Sequence, residues 1–220
     1  MCSGYPTQLA IVGVLAGIGI RPIEDGGLSP RFVFAVSAID TAVLISLVIA
    51  FLRLSNERAR EVLMPARRTG RELAIGVLLI PALFILVAAA QAMIRAIAPQ
   101  LHNVPVNPFE SFLSSPAMRA AFITLVVIAG GVREELQRGF LLHRFEQRLG
   151  GNAVGLVTTS VAFGLGHTLQ GWDAAIVTAL LGAFWGMIYL TRRSVIANVI
   201  SHAAFNVVQV LAGLSSVARS

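Results

Sequence analysis

Leu73-Ala-Ile-Gly-Val-Leu-Leu-Ile-Pro-Ala-Leu-Phe-Ile-Leu-Val-Ala-Ala-Ala-Gln-Ala-Met-Ile94 contains no charged residue. A helix of that length crosses the ~30 Å of hydrocarbon in a bilayer. Residues 32–52 and, with interruptions, residue 117 onward read the same way. The composition agrees: of 220 residues, 56% are hydrophobic and only 13% charged, against roughly a quarter charged in an ordinary globular domain. The expected fold is all-α, a polytopic membrane bundle of about six or seven transmembrane helices. Residues 1–30 read as a short helix or interfacial segment, with the apolar run 9–20 too short for a comfortable span, and residues 31–220 as one membrane-embedded domain.

The net charge of +6 is carried by arginines grouped in short segments between apolar runs. That pattern fits the positive-inside rule and lacks the basic, aromatic-rich groove of a nucleic-acid binder, so nucleic acid is not an expected partner. The densest group, Arg53, Arg58, Arg60, Arg67, Arg68 and Arg71, is placed in the cytoplasm. Counting helices from that loop puts Arg144 and Arg148, and then Arg192 and Arg193, on the same side. Cys2 is the only cysteine, which excludes an intrachain disulfide and a cysteine-based zinc knuckle. No internal repeat of the kind found in secondary transporters is visible.

Charged groups within spans are costly and therefore informative. In Arg133-Glu-Glu-Leu-Gln-Arg138, Glu134 and Arg138 are four apart and share one helix face, so the arginine is expected to hold the Glu134 carboxylate. Glu135 points about 100° away from it and is expected to do a different job, through a contact with Arg138. Such clusters also mark helices emerging into water, and the segment alone does not separate these readings. The next helix is read as carrying Phe163-Gly-Leu-Gly-His167, with His167 its one titratable residue. Glu134 lies sixteen residues before Gly150 and His167 sixteen after Gly151. At ~1.5 Å per residue both stand ~24 Å from the turn, so the two side chains are expected to face each other across an antiparallel pair. Gly164 and Gly166 allow close helix approach or a notch beside His167.

A third element, Ser201-His202-Ala-Ala-Phe-Asn206, puts His202 and Asn206 on one face of the last helix. Alone they read as hydrogen-bonding partners of a neighbouring helix. Gly182 and Gly186, four apart, form a small-residue face for tight packing; Phe184 and Trp185 between them read as lipid or core contacts, with the lining of a substrate groove as the alternative. Asp40 is a further acid inside a span with no evident partner beyond Thr41 or a neighbouring helix.

Glu134-Glu135-x-x-x-Arg138, Phe163-x-x-x-His167, Gly182-x-x-x-Gly186 and His202-x-x-x-Asn206, in this order over residues 117–210, resemble the CPBP family of intramembrane proteases. That family includes the prenyl-protein (CAAX) endopeptidases and bacterial bacteriocin-processing or self-immunity proteins. The resemblance implies a membrane endopeptidase in which Glu134 with His167 activates water and His202 with Asn206 binds the oxyanion, supported by Glu135 and Arg138. Members are often named metalloproteases. A divalent metal such as zinc would here fall to Glu134, His167 and His202, although the His-Glu-x-x-His arrangement of the common zinc enzymes is absent. The implied partners are the lipid bilayer and a membrane-associated peptide or protein substrate, a prenylated one included; the implied location is the cell membrane of a bacterium. A non-catalytic immunity or binding protein on the same scaffold and a small proton-coupled transporter are the competing readings.

Overall fold

The computed structural model describes residues 5–24, 26–65 and 69–217, with side chains described as far as residue 213. Cys2, Arg67 and Arg68 lie outside the described residues. The helices are α1 (Tyr5–Gly17), α2 (Pro30–Leu54), α3 (Ala59–Leu63), α4 (Thr69–Ile97), α5 (Pro116–Leu125), α6 (Glu134–Arg148), α7 (Gly151–Leu165), α8 (Trp172–Arg192) and α9 (Ile196–Val217). Between α1 and α2, Ile23–Glu24 and Gly27–Leu28 form a small antiparallel pair. A π-helical stretch, Val126–Arg133, joins α5 to α6 without a break.

Five of these segments are long and apolar enough to cross a membrane: Pro30–Leu54, Thr69–Ile97, Pro116–Arg148, Trp172–Arg192 and Ile196–Gly213. Two shorter apolar helices, α1 and α7, bring the apolar helices to seven among the described residues. The protein is an all-α bundle of the polytopic membrane type. Large apolar side chains face outward on α4, with Leu78 74% and Ile85 69% exposed. Water would penalise that surface, whereas lipid does not.

Helix boundaries follow local chemistry. Ser29 caps α2 by accepting from the Phe32 amide, and Ser115 caps α5 by accepting from the Met118 amide. In each case proline occupies the first helical position, where its missing N–H costs nothing. The turn from α6 to α7 is made by Gly150 and Gly151 at φ 102° and 87°, a region that disfavours residues with a Cβ.

The basic segments gather at one end of the bundle. Arg192 at the end of α8 binds both oxygens of Glu72 at the start of α4, at 2.5 and 2.8 Å. Arg193 pairs with Glu146 near the end of α6. Arg144 meets Glu57, just past α2, at 2.5 Å. Glu57 also accepts from His143 at 2.7 Å and Gln147 at 2.8 Å. Partial burial pushes the Glu57 carboxyl up, but the bonds from Gln147, His143 and Arg144 outweigh it and hold its pKa down at about 2. A folded value below the ordinary 4.5 means that the unfolded chain takes up the proton first. The stabilisation is therefore complete above about pH 4.5 and lost as pH falls toward 2. The thermal midpoint of the wild type should exceed that of Glu57→Gln near neutral pH, and the gap should narrow steadily from about pH 5 to about pH 3.

Helices α7 and α8 pack closely because glycine lines both sides of the contact. A Cβ on Gly164 would lie 2.5 Å from the Ala175 carbonyl and 2.7 Å from the Ala179 Cβ. One on Gly186 would lie 2.5 Å from a Leu156 methyl, and one on Gly182 3.0 Å from the Phe163 ring. Gly164→Val should lower stability by about 1–3 kcal/mol, the usual cost of overpacking, read as an earlier unfolding midpoint in detergent. An unchanged midpoint would mean that α8 can move away freely.

Candidate active site

The π-helical stretch sets the geometry of the site. Gly130 and Gly131 let α9 approach this backbone: a Cβ on Gly131 would lie 2.7 Å from the Ala203 Cβ, and one on Gly130 2.5 Å from the Asn206 amide nitrogen. Asn206 donates from Nδ2 to the Val126 carbonyl at 3.2 Å. A polar side chain thus bonds into the helix where its turns widen, a known cause of local departure from α geometry and a feature frequent at functional sites.

Directly after this stretch come the two acids, Glu134 2% and Glu135 0% exposed. Glu135 is the hub toward α9. Its Oε1 accepts from His202 Nδ1 at 2.8 Å and from Arg138, and its Oε2 accepts from Asn198 Nδ2 at 3.1 Å. Glu134 faces elsewhere: its Oε1 accepts from Arg133 Nη2 at 2.8 Å, while its Oε2 stands 3.9 Å from His202 Nε2. The single imidazole of His202 therefore lies between the two carboxylates, each toward a different ring nitrogen.

Aromatic rings fix these groups. His202 stacks on Trp185 at 3.9 Å with an 18° tilt and meets the Phe163 ring edge-on at 6.0 Å. Trp185, 1% exposed, is held by its indole N–H donating to Ser201 Oγ at 3.1 Å. Arg138 places its guanidinium 4.5 Å from the Phe163 ring centroid, a cation–π contact. His167 packs against the same ring at 5.0 Å and bonds through Nδ1 to the Phe163 carbonyl at 2.9 Å. That bond leaves Nε2 as its working nitrogen. Phe163 is thus shared by both histidines, and Glu134 interacts electrostatically with each of them.

Two expectations are corrected and a third, left between two alternatives, is decided. The arginine that holds Glu134 is Arg133, not Arg138, because Arg138 turns toward α9 and pairs with Glu135. His167 is not within a helix: α7 ends at Leu165, and His167 opens the turn leading to α8, one residue beyond the Gly166 cap. Asp40 is satisfied by neighbouring helical segments, the second of its two readings. Its carboxylate accepts from Arg133 Nη1 at 2.6 Å, Thr7 at 2.7 Å and Gln8 at 3.3 Å, while Thr41 bonds the Ser37 carbonyl instead.

Arg133 and Asn198 escaped notice in the sequence, Arg133 because it reads as the outer edge of a surface cluster. A signal was present for it: two unpaired charges within spans, Asp40 and Arg133, of opposite sign. The stacking of Trp185 on a histidine has no signature in spacing.

The metal set named above is Glu134, His167 and His202. Among the described residues, no three of His, Cys, Asp and Glu are arranged to hold a metal ion. The Arg133 guanidinium on Glu134 also brings a positive charge to the carboxylate that would have to coordinate. The side chains as placed do not fit such a centre.

Fold and cluster together define an integral membrane protein with ionisable groups gathered at the core of an apolar bundle. Residues 116–208, which carry all four motifs, match the family model described as type II CAAX prenyl endopeptidase, Rce1-like. No curated protein and no solved structure matches the chain.

Proposed function

We propose that the protein is an intramembrane endopeptidase that hydrolyses a peptide bond in a membrane-associated substrate, with Glu134, His167, His202 and Asn206 as its catalytic residues. The observation that carries this reading is the convergence of Glu134 and Glu135 on the His202 imidazole, with His167 packed on the Phe163 ring that His202 also meets. Burying so many ionisable groups is expensive and is characteristic of function in a membrane protein.

The chemistry requires a base for water and donors for the tetrahedral oxyanion. Glu134 Oε2, turned toward the histidines, takes a proton as the water oxygen attacks the carbonyl carbon. His167 Nε2 orients that water. Glu135, accepting from Nδ1, fixes the orientation of His202; as the doubly protonated imidazolium, the ring donates from Nε2 to the oxyanion beside the Asn206 amide. When the C–N bond breaks, the proton held by Glu134 passes to the departing amine. No step requires a metal.

The match of residues 116–208 to the CAAX prenyl endopeptidase model supports peptidase activity and makes a prenylated C-terminal peptide the first substrate to try. Protein purified in detergent should cleave a prenylated Cys-aliphatic-aliphatic-X peptide or a transmembrane peptide from a mixed set, with products identified by mass spectrometry. An unprenylated version of the same peptide tests whether the lipid is part of recognition. Failure to cleave any member of a set in which a related endopeptidase is active would overturn the reading.

A further inference from the structure

The matched family segment begins at residue 116, yet one carboxylate on α2 reaches into the same buried network. We infer that Asp40 is a positioning residue for catalysis: by dividing the Arg133 guanidinium between two acids, it sets the orientation of Glu134. The inference rests on the hydrolytic reading above and extends the working site to α1 and α2.

Arg133 and Asp40 are each 1% exposed. The guanidinium spends its three nitrogens on three different partners: Nη1 on Asp40 Oδ2 at 2.6 Å, Nη2 on Glu134 Oε1 at 2.8 Å and Nε on the Ala129 carbonyl at 3.1 Å. Only one arm of the fork meets Glu134. This matters because a guanidinium and a carboxylate left to themselves form two parallel hydrogen bonds. Such a pairing would draw Oε2 onto the arginine and away from His202 Nε2. Asp40 prevents it by claiming the other arm, and Ala129 by claiming Nε. Two carboxylates against one guanidinium also leave this trio with a net negative charge, which keeps Glu134 from being fully neutralised by its neighbour.

Asp40 is in turn held from α1, where Thr7 bonds Oδ1 at 2.7 Å and Gln8 bonds Oδ2 at 3.3 Å. The short N-terminal helix therefore has a role beyond packing. It is the outer support of a chain of contacts that runs Thr7, Asp40, Arg133, Glu134.

The test measures kcat and KM on a peptide that the wild type cleaves, for Asp40→Asn, Asp40→Glu, Thr7→Val and Glu134→Gln in the full chain. Asp40→Asn should lower kcat by on the order of 10²-fold, as a misplaced reacting group does, with KM within about twofold. Asp40→Glu should restore a substantial part of that loss, and Thr7→Val should cost roughly 3- to 10-fold in kcat, the scale of one hydrogen bond. Where Asp40→Asn does not fold, Thr7→Val decides, since it keeps the side-chain shape and leaves the buried charges intact. Wild-type kcat in Asp40→Asn or, where that variant does not fold, in Thr7→Val, beside an inactive Glu134→Gln, overturns the inference while the hydrolytic reading stands. A loss in Asp40→Asn that follows the unfolding midpoint and is not relieved by Asp40→Glu also overturns it, by showing a purely structural role. A Glu134→Gln protein with wild-type kcat removes Glu134 as the base and overturns this inference with it, whereas a wild type that cleaves no peptide overturns the hydrolytic reading itself.

Discussion

Glu134→Gln should lower kcat by on the order of 10²–10⁴-fold, the range contributed by a positioned base, while the protein still folds. The substitution is nearly isosteric, and the amide oxygen still accepts the bond from Arg133 Nη2 that Glu134 Oε1 accepts at 2.8 Å. Arg133 keeps its ion pair with Asp40 at 2.6 Å, so no buried charge is stranded. What is lost is the ability to take a proton. Product formation by mass spectrometry and the unfolding midpoint, measured on one detergent preparation, separate these effects. A Glu134→Gln protein that turns over at the wild-type rate would remove Glu134 from the role of base.

Asn206→Asp should lower kcat by on the order of 10²-fold or more, the usual cost of one oxyanion donor. Aspartate offers no N–H to the Val126 carbonyl, which now receives one at 3.2 Å, and its charge would repel the developing oxyanion. Asn206→Ala supplies the comparison, since it removes the donor without adding charge; the Asp variant should be at least as impaired. A metal-based site makes the opposite demand, because a carboxylate is a better ligand than a neutral amide. Full activity in Asn206→Asp between about pH 5 and 8, together with stoichiometric zinc that disappears in His202→Ala, would replace the donor mechanism with a metal one.

Much of the bundle was legible because membrane spans are written in length and hydropathy, which need no knowledge of tertiary contacts. The end-on clustering of Arg144, Arg192 and Arg193 followed from counting helices outward from one basic loop. The hairpin at Gly150 and Gly151 correctly brought the segments of Glu134 and His167 side by side. The partners of each charge were not legible, because face assignment assumes an unbroken 3.6-residue period. Glu134 and Arg138 share a face in an ideal helix, yet the arginine swings to Glu135, where Phe163 and Trp185 receive its cationic plane. The Asp40–Arg133 pair, 93 residues apart, depends on how α2 lies against the π-helical stretch, and no local pattern encodes that.

The widened turns at Val126–Arg133 carry a further consequence for the long span Pro116–Arg148. Each π turn consumes more residues than an α turn, so the angular phase of the side chains slips between the first third of the span and the remainder. An apolar stripe extrapolated from α5 falls out of step by the time it reaches Glu134. One continuous rod can thus present hydrocarbon-compatible residues outward near its entry and still turn two adjacent acids inward farther along, with no break in the backbone and no loop exposed to lipid.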